Sequence, residues 1–520
     1  MGNKIKYPVG EQSFERLRKE GFLYIDKTSF VERIISGEKY YFLARPRRFG
    51  KSLFLSTLKA FFEGRKDLFQ GLYAENIDWD WEEYPVFHLD FNSQRYHDHS
   101  DLNAIIENFL IRHEKQYGIE VEIDNFSIRF ENLIRTAYEK TGLGVVILVD
   151  EYDKPLVNNF TDSERFEEMR AKLAALYSNF KSSADYIRLV FLTGVSRFGK
   201  LSVFSDLNNI SDISFDDSFA AICGITQKEL LENCNEGIAT LASDSGRSLE
   251  EEIVLLKKRY DGYHFSRKCV DIYNPYSILA ALARNQYGNY WIESGNPKLL
   301  LDQLKLMNVD LEEVLNARCD QSELSGLDLS NLSVIPLFYQ TGYLTIKDYN
   351  RRRDLFQLGL PNDEVREGFF RFILPYYTSI KHQTVKGFMS DFLDEIEGGE
   401  TDKFLKRLQS MLAGISYDMK MEEERNVQNA IIVLFTLLGL EVDAEYRLCN
   451  GRIDMLIRTR KYVYIMELKY DSNASVALDQ IIEKGYALPW SVDRREVIAI
   501  GINYSSKKRC IDDWIWKQIQ

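Results

Sequence analysis

Cysteine is scarce and scattered. The six cysteines, Cys223, Cys234, Cys269, Cys319, Cys449 and Cys510, form no CxxC pair. That spacing speaks against a zinc site or a disulfide framework and suits reduced thiols inside a cell. Histidine is equally thin, six residues without metal-ligand spacing; His97 and His99 flank Asp98 in a polar stretch that reads as solvated. Positive charge is in deficit. A net charge of −13 argues against a chain that coats nucleic acid wholesale, although a local basic groove stays open. Long apolar runs are missing as well: the longest, 430–440, is too short to span a bilayer. The opening MGNKIKYPVG has no apolar signal core and puts Lys6 where a myristoylation pattern needs Ser or Thr. A cytoplasmic location is the expectation.

What is present is ordinary globular material: 520 residues, 45% hydrophobic, enough for roughly two to four domains. The stretch that organises it is YYFLARPRRFGKSLFLSTLKAFFEG, residues 40–64. It reads as a buried strand, a tight loop and a helix with Leu55, Leu58, Phe61 and Phe62 on one apolar face. A strand and loop leading to Gly50-Lys51-Ser52 at a helix start is the context of a phosphate-binding P-loop. Backbone N–H groups at such a helix end can cradle phosphate oxygens. Lys51 would reach the β- and γ-phosphates, and Ser52 would offer its hydroxyl to Mg²⁺. The cradle residues are thus Arg47, Arg48, Phe49, Gly50, Lys51, Ser52 and Leu53. One position departs from the pattern: Arg45 stands where the first glycine is expected, and a non-glycine there restricts the turn.

Residues 142–155, GLGVVILVDEYDKP, supply the second half of such a site. An uninterrupted apolar run ending in two acids is how a parallel strand buried on both faces reads. Asp150 can hold Mg²⁺, and Glu151 can act as general base on the attacking water. The next apolar strand, in YIRLVFLTGVSRFGK (186–200), is expected between the other two, as in additional-strand P-loop ATPases. Thr193 or Ser196 would then sense the γ-phosphate, and Arg197 could approach the phosphates. SFAAICGIT, 218–226, reads as a fifth strand. Before the P-loop, 11–36 reads as a short strand and a helix capped near Asp26 or Thr28. A P-loop NTPase domain over 1–226 follows, a three-layer α/β fold with ligands at the strand C-termini.

From Gln227 the pattern turns helical, including 297–307 and 309–317. Residues 343–346 and 354–358 alternate like a hairpin with the basic tip Arg351-Arg352-Arg353. Residues 227–390 are expected to form a helical, winged-helix-like middle domain. The tip is either a solvated charged turn, the simpler reading, or a phosphate contact on DNA. Residues 391–420 read as a connecting helix with a soft boundary at Gly398-Gly399. Residues 421–520 follow an α-β-β-β-α-β order. Asp454 lies on one strand and Glu467-Leu468-Lys469 on the next. Glu467 and Lys469, two apart on a strand, share a face. Two acids and the Leu468 carbonyl suit a hard Mg²⁺ ion, and Lys469 could orient water and stabilise charge on phosphorus. Glu424 on the first helix could reach the same metal; Gln480 and Tyr486 could contact a phosphate.

These motifs together, IDKT, RPRRFGKS, LVDEYDKP, LTGVSRF, DGYHF, YNPYS, YQTGYL, LPNDEV, GRIDMLI and MELKY, resemble the bacterial AAA-ATPase-like proteins that end in a PD-(D/E)XK nuclease-superfamily domain. The resemblance spans nearly the whole chain. It implies ATP binding, a Mg²⁺-dependent nuclease fold resembling restriction endonucleases, and an arginine-bearing loop as the usual form. It supplies no substrate. Gln428 departs from the resemblance, which implies histidine in many relatives at that place on the first nuclease helix. The leading expectation is an ATPase coupled to a DNA nuclease, with defence or mobile-element control as its setting and a homo-oligomer as one possible form. The other is a nucleotide-dependent switch whose nuclease-like domain only binds nucleic acid or protein.

Overall fold

The computed structural model describes residues 5–93, 96, 99–121, 123–160, 162–197, 209–295, 314–326, 334–377, 385–413 and 424–519. The stretches expected as helices at 297–307 and 309–317 lie mostly outside them. Two compact units form: Met1–Ser294 with Ala317–Asn362, and Gly295–Asn316 with Asp363–Gln520. The first therefore holds 1–226 together with most of the middle segment, and the second holds 391–420 and 421–520.

The first unit is built on five strands: β1 (Tyr40–Ala44), β2 (Val86–Asp90), β3 (Val145–Asp150), β4 (Ile187–Gly194) and β5 (Ser211–Asp212). Their order is β2-β3-β4-β1-β5, all parallel. β4 lies between β1 and β3, as the additional-strand pattern requires. Every residue of β1 and β3 is buried, which explains why both read as unbroken apolar runs. The P-loop helix α1 (Lys51–Phe62) buries Phe54, Leu55, Leu58, Phe61 and Phe62. Each such side chain contributes about 1.5–3 kcal/mol.

Two expectations need correction. Residues 218–226 are not the fifth sheet strand; that place is taken by Ser211–Asp212. Asp216 caps a 3₁₀ turn at Asp217–Phe219, and Gly224 adopts φ +84° against Ile272. Only β6 (Ile225–Thr226) is extended, and it pairs with β7 (Ile272–Tyr273) in a separate ribbon. Residues 11–36 hold no strand: Phe14–Lys19 is helical, and Ser29–Ile35 follows with Thr28 at its cap. The IDKT motif is a brace. Asp26 accepts the Thr28 and Tyr73 N–H groups, and Lys27 pairs with Glu229 at 2.6 Å.

Capping boxes at Thr226/Glu229 and Ser248/Glu251 open the helices Gln227–Ser245 and Leu249–Tyr260. The expected hairpin is present as β9 (Thr345–Asn350) and β10 (Leu355–Gly359), joined by β8 (Arg318–Cys319) in the order β8-β10-β9. Its tip, Arg351 to Arg353, is exposed. The DGYHF motif clasps this hairpin: His264 donates its backbone N–H to Thr345 Oγ1 at 2.7 Å, and its ring bridges the Ile346 carbonyl and Asp271.

Asp261 in that motif is buried, and burial pushes its carboxyl up to about 7, with the charge of Asp271 adding and the Gly262 N–H, Lys257 and Lys347 opposing. A carboxyl raised in the folded state contributes stability at low pH that is lost as pH climbs from about 4 through about 7. The full cost is up to about 4 kcal/mol. Asp261→Asn should therefore gain stability relative to wild type between pH 5 and pH 8. Unfolding midpoints at the two pH values check it, and a pH-independent gap would count against it.

The second unit carries the sheet β11 (Glu441–Leu448), β12 (Gly451–Arg458), β13 (Tyr462–Tyr470), β14 (Glu496–Ser505) and β15 (Cys510–Gln518), in sequence order. Only β13 and β14 are parallel. β15 extends the expected order by one strand. The connecting segment is two helices, α2 (Val385–Glu397) and α3 (Thr401–Ala413), parted at Gly398-Gly399. Both dock on this sheet: Tyr464 donates to Ile396 O at 2.6 Å and Gln409 to Ile511 O at 2.6 Å. The helices α4 (Glu424–Leu437) and α5 (Ala474–Glu483) complete the unit. No helix among the described residues is long and apolar enough to cross a membrane.

Candidate active sites

The P-loop is held by side chains rather than by glycines. The Arg45 guanidinium is buried and donates to the carbonyls of Ala44, Ser214 and Phe219, with its face 4.2 Å from the Phe265 ring. Burial lowers it to about 10. The turn itself is made at Arg48 (φ 68°) and Gly50 (φ 98°). Aromatic residues from distant motifs clamp the loop. Trp291 donates to Arg47 O at 3.0 Å and lies under its guanidinium, Arg48 stacks on Tyr276, and Phe49 meets Tyr263 and Phe265 edge-on. DGYHF and YNPYS are thus parts of the loop's wall.

Lys51 is buried and donates to the carbonyl of Arg45 at 3.0 Å, with Glu151 3.4 Å away. Ser52 and Leu53 sit in the first turn of α1. Asp150 ends β3 and accepts from the Thr193 hydroxyl at 2.6 Å across to β4. Glu151 turns with φ 53°, a left-handed conformation rare outside glycine and asparagine. That turn brings its carboxylate to Lys51. The donor set therefore fits a magnesium nucleotide: a helix N-terminus and a lysine for phosphate, with a hydroxyl and an aspartate for the cation. Arg197 lies beside Arg45 and Pro46 at the start of the loop, but its side chain is already engaged. Its guanidinium pairs with Asp212 and donates to Ser325 Oγ, while its N–H is taken by Gln340. Ser196 gives its N–H to Asp153 at 2.5 Å. Asp153 is fully buried, and burial with the neighbouring Glu151 charge raises it to about 7.

The second site lies where β12 and β13 meet. Leu468 N–H donates to Asp454 Oδ2 at 2.9 Å, and Asp454 N–H to Glu467 Oε1 at 3.2 Å. The two acids are thereby locked side by side. Gln480 on α5 donates to Glu467 Oε2 at 2.6 Å, and Gln428 on α4 to the Asp454 carbonyl at 2.8 Å. Glu467 is fully buried; burial, then the Asp454 charge, pushes it up to about 8. A buried acid forced up beside a second acid suits a divalent cation, which would relieve both causes. Among the described residues no cluster of three His, Cys, Asp or Glu ligands forms. The side chain of Glu424 lies outside the described residues. Tyr486 is a core residue: its hydroxyl accepts the Arg452 N–H and its ring lies against Gly451.

Two families match this chain. The predicted AAA-ATPase family matches residues 8–204, and the PD-(D/E)XK nuclease superfamily matches residues 422–514. The "Uncharacterized protein in vnfD 5'region" of Azotobacter chroococcum mcd 1 is 34% identical over 529 residues, covering 98% of each chain. The chain belongs to the AAA-ATPase-like family with a C-terminal PD-(D/E)XK nuclease-superfamily domain. In this AAA-ATPase-like protein, the clamp residues Tyr263, Phe265, Tyr276 and Trp291 fall between the two matches. The motifs holding Tyr263, Phe265 and Tyr276 are visible in the sequence, but the partnership of all four residues with Arg47 to Phe49 is not, because it joins residues more than 200 apart. The amides of Gln428 and Gln480 support the acids from the two flanking helices, a partnership their positions in the sequence do not announce.

Proposed function

We propose that this AAA-ATPase-like protein binds and hydrolyses ATP and that its C-terminal domain hydrolyses phosphodiester bonds in DNA with Mg²⁺. The carrying observation is the buried Glu467, pushed up by burial and by the charge of Asp454 beside it, with a backbone N–H on each acid and Lys469 two residues beyond Glu467 on the same strand face. A buried acid raised in this way costs stability and is characteristic of a functional site. Mg²⁺ bound there supplies charge to activate water and to neutralise the developing phosphorane. Asp454 and Glu467 hold the cation, and Glu424 at the start of α4 is proposed to join them. Lys469 aligns the attacking water and offers its positive charge to the scissile phosphate. Gln480 fixes the rotamer of Glu467, and Tyr486 fixes the backbone turn at Gly451.

In the first unit, Arg47, Arg48, Phe49, Gly50, Lys51, Ser52 and Leu53 wrap the phosphates. Ser52 and Asp150 hold the nucleotide's magnesium, and Glu151 takes a proton from water. Thr193, bonded to Asp150, is the proposed sensor of β4. Arg197 would have to leave Asp212 to reach a phosphate. A setting in defence or mobile-element control fits an ATP-gated DNA nuclease.

Titration calorimetry of Mg-ATP tests the first half. Wild type should bind, and Lys51→Ala should lose about tenfold or more in affinity, the scale of one charge-assisted contact. Equal affinity in the variant would overturn the assignment of the loop.

A further inference from the structure

The edge strand β15 is long, open and self-complementary. Its first half is covered by α3, where Asp402 takes the Trp514 indole N–H and Gln409 the Ile511 carbonyl. The rest is bare: Ile515 is 44% exposed, Trp516 38% and Ile519 42%. An exposed apolar edge of this length invites pairing with another strand unless it is blocked. Here the charges do not block it. Asp513 and Lys517 are both exposed and make no ion pair among the described residues.

We propose that β15 pairs antiparallel with β15 of a second copy of this chain about a two-fold axis at Ile515. The backbone permits that register. Ile519 N–H donates to Val497 O at 2.8 Å, so alternation turns the backbone groups of Ile515 and Lys517 toward β14. Those of Trp514, Trp516 and Gln518 point outward. With the axis at Ile515, Trp514 of one copy forms hydrogen-bonded pairs with Trp516 of the other. Ile515 then faces Ile515, and Asp513 faces Lys517 twice, in the closely spaced non-hydrogen-bonded pairs where side chains interact most. Moving the axis to Trp514 or Trp516 sets Asp513 or Lys517 against Ile515 instead. One register alone satisfies both charges and buries the apolar residues.

The pairing has a consequence for the nuclease-type site. Glu467 is opposite Gly501, and Gly501 is opposite Ile515. The two Glu467 residues would therefore share one row of a continuous ten-stranded sheet. They would lie on the same face, beneath the two α5 helices. Five strand spacings separate them, about 24 Å.

Sedimentation of the full chain at micromolar concentration tests the pairing. Wild type should be dimeric. Asp513→Lys alone and Lys517→Asp alone each oppose like charges twice and should weaken association at least about tenfold. An equimolar mixture of the two variants makes every opposed pair unlike, and should dimerise again. The double variant Asp513→Lys/Lys517→Asp should dimerise on its own. Circular dichroism checks that each variant is folded, which exposed substitutions at these positions should allow. A monomeric wild type, single variants that associate as tightly as wild type, or a mixture that stays monomeric would each overturn the proposal.

Discussion

Replacing Glu467 by alanine is expected to abolish phosphodiester cleavage while leaving the chain folded and able to bind ATP. The reason lies in how the acid is held. Its carboxylate accepts the Asp454 N–H and the Gln480 amide, and burial beside Asp454 raises it to about 8. Alanine removes one of the two acids that hold the cation beside the scissile bond, so cleavage should fall below detection. It also removes a buried acid, so the fold should tolerate the change better than loss of a core side chain. Asp454→Ala should behave alike. Lys469→Ala should differ in kind: metal binding should survive, and cleavage should drop by about a hundred- to a thousandfold, the scale of one transition-state charge contact. Binding of Mn²⁺ read by calorimetry, beside cleavage of labelled DNA, separates the two outcomes. Loss of metal binding in Lys469→Ala, or cleavage persisting in Glu467→Ala, would show that the roles are assigned wrongly.

Glu151→Gln is expected to keep ATP bound and to slow its hydrolysis by about a hundredfold or more, the usual contribution of a general base. The amide keeps the size of the side chain but cannot take a proton. Glu151 lies 3.4 Å from Lys51 and follows Asp150 in a left-handed turn that points it into the loop. The left-handed backbone at Glu151 is what points the carboxylate there. Asp150→Asn should act differently, weakening the dependence on Mg²⁺, because Asp150 faces Thr193 rather than Lys51. Single-turnover hydrolysis beside equilibrium ATP binding distinguishes these effects. Wild-type turnover in Glu151→Gln would move the base elsewhere.

Much of this was legible because it is local. Gly50-Lys51-Ser52 follows an apolar strand directly, and Asp150-Glu151 ends another, so chemistry and element boundary coincide. The pairing of Asp454 with Glu467 is nearly as local, since one tight hairpin joins β12 and β13. Elsewhere, period and chemistry part company. Residues 218–226 are apolar enough for a strand, yet Gly224 and the Asp216 cap bend them out of the sheet. β15 escapes notice because Asp512, Asp513 and Lys517 break its apolar residues into what resembles a surface loop. The helix Ser163–Ser182 likewise has no counterpart in the expectations from sequence. Arg45 is the clearest case of a long-range answer. Its poor fit to the glycine pattern is resolved by Ser214, Phe219 and Phe265, none of which lies near it in the chain. Tyr486, which reads as a phosphate contact, also accepts the Arg452 N–H on its hydroxyl, a backbone partner that no motif announces.

The most direct measurement is cleavage of end-labelled single- and double-stranded DNA by the purified full chain in Mg²⁺, with and without ATP, run beside Glu467→Ala. Mg²⁺-dependent products from wild type and none from Glu467→Ala are the predicted result. No cleavage by wild type under any of these conditions, or equal cleavage by both proteins, would contradict the account.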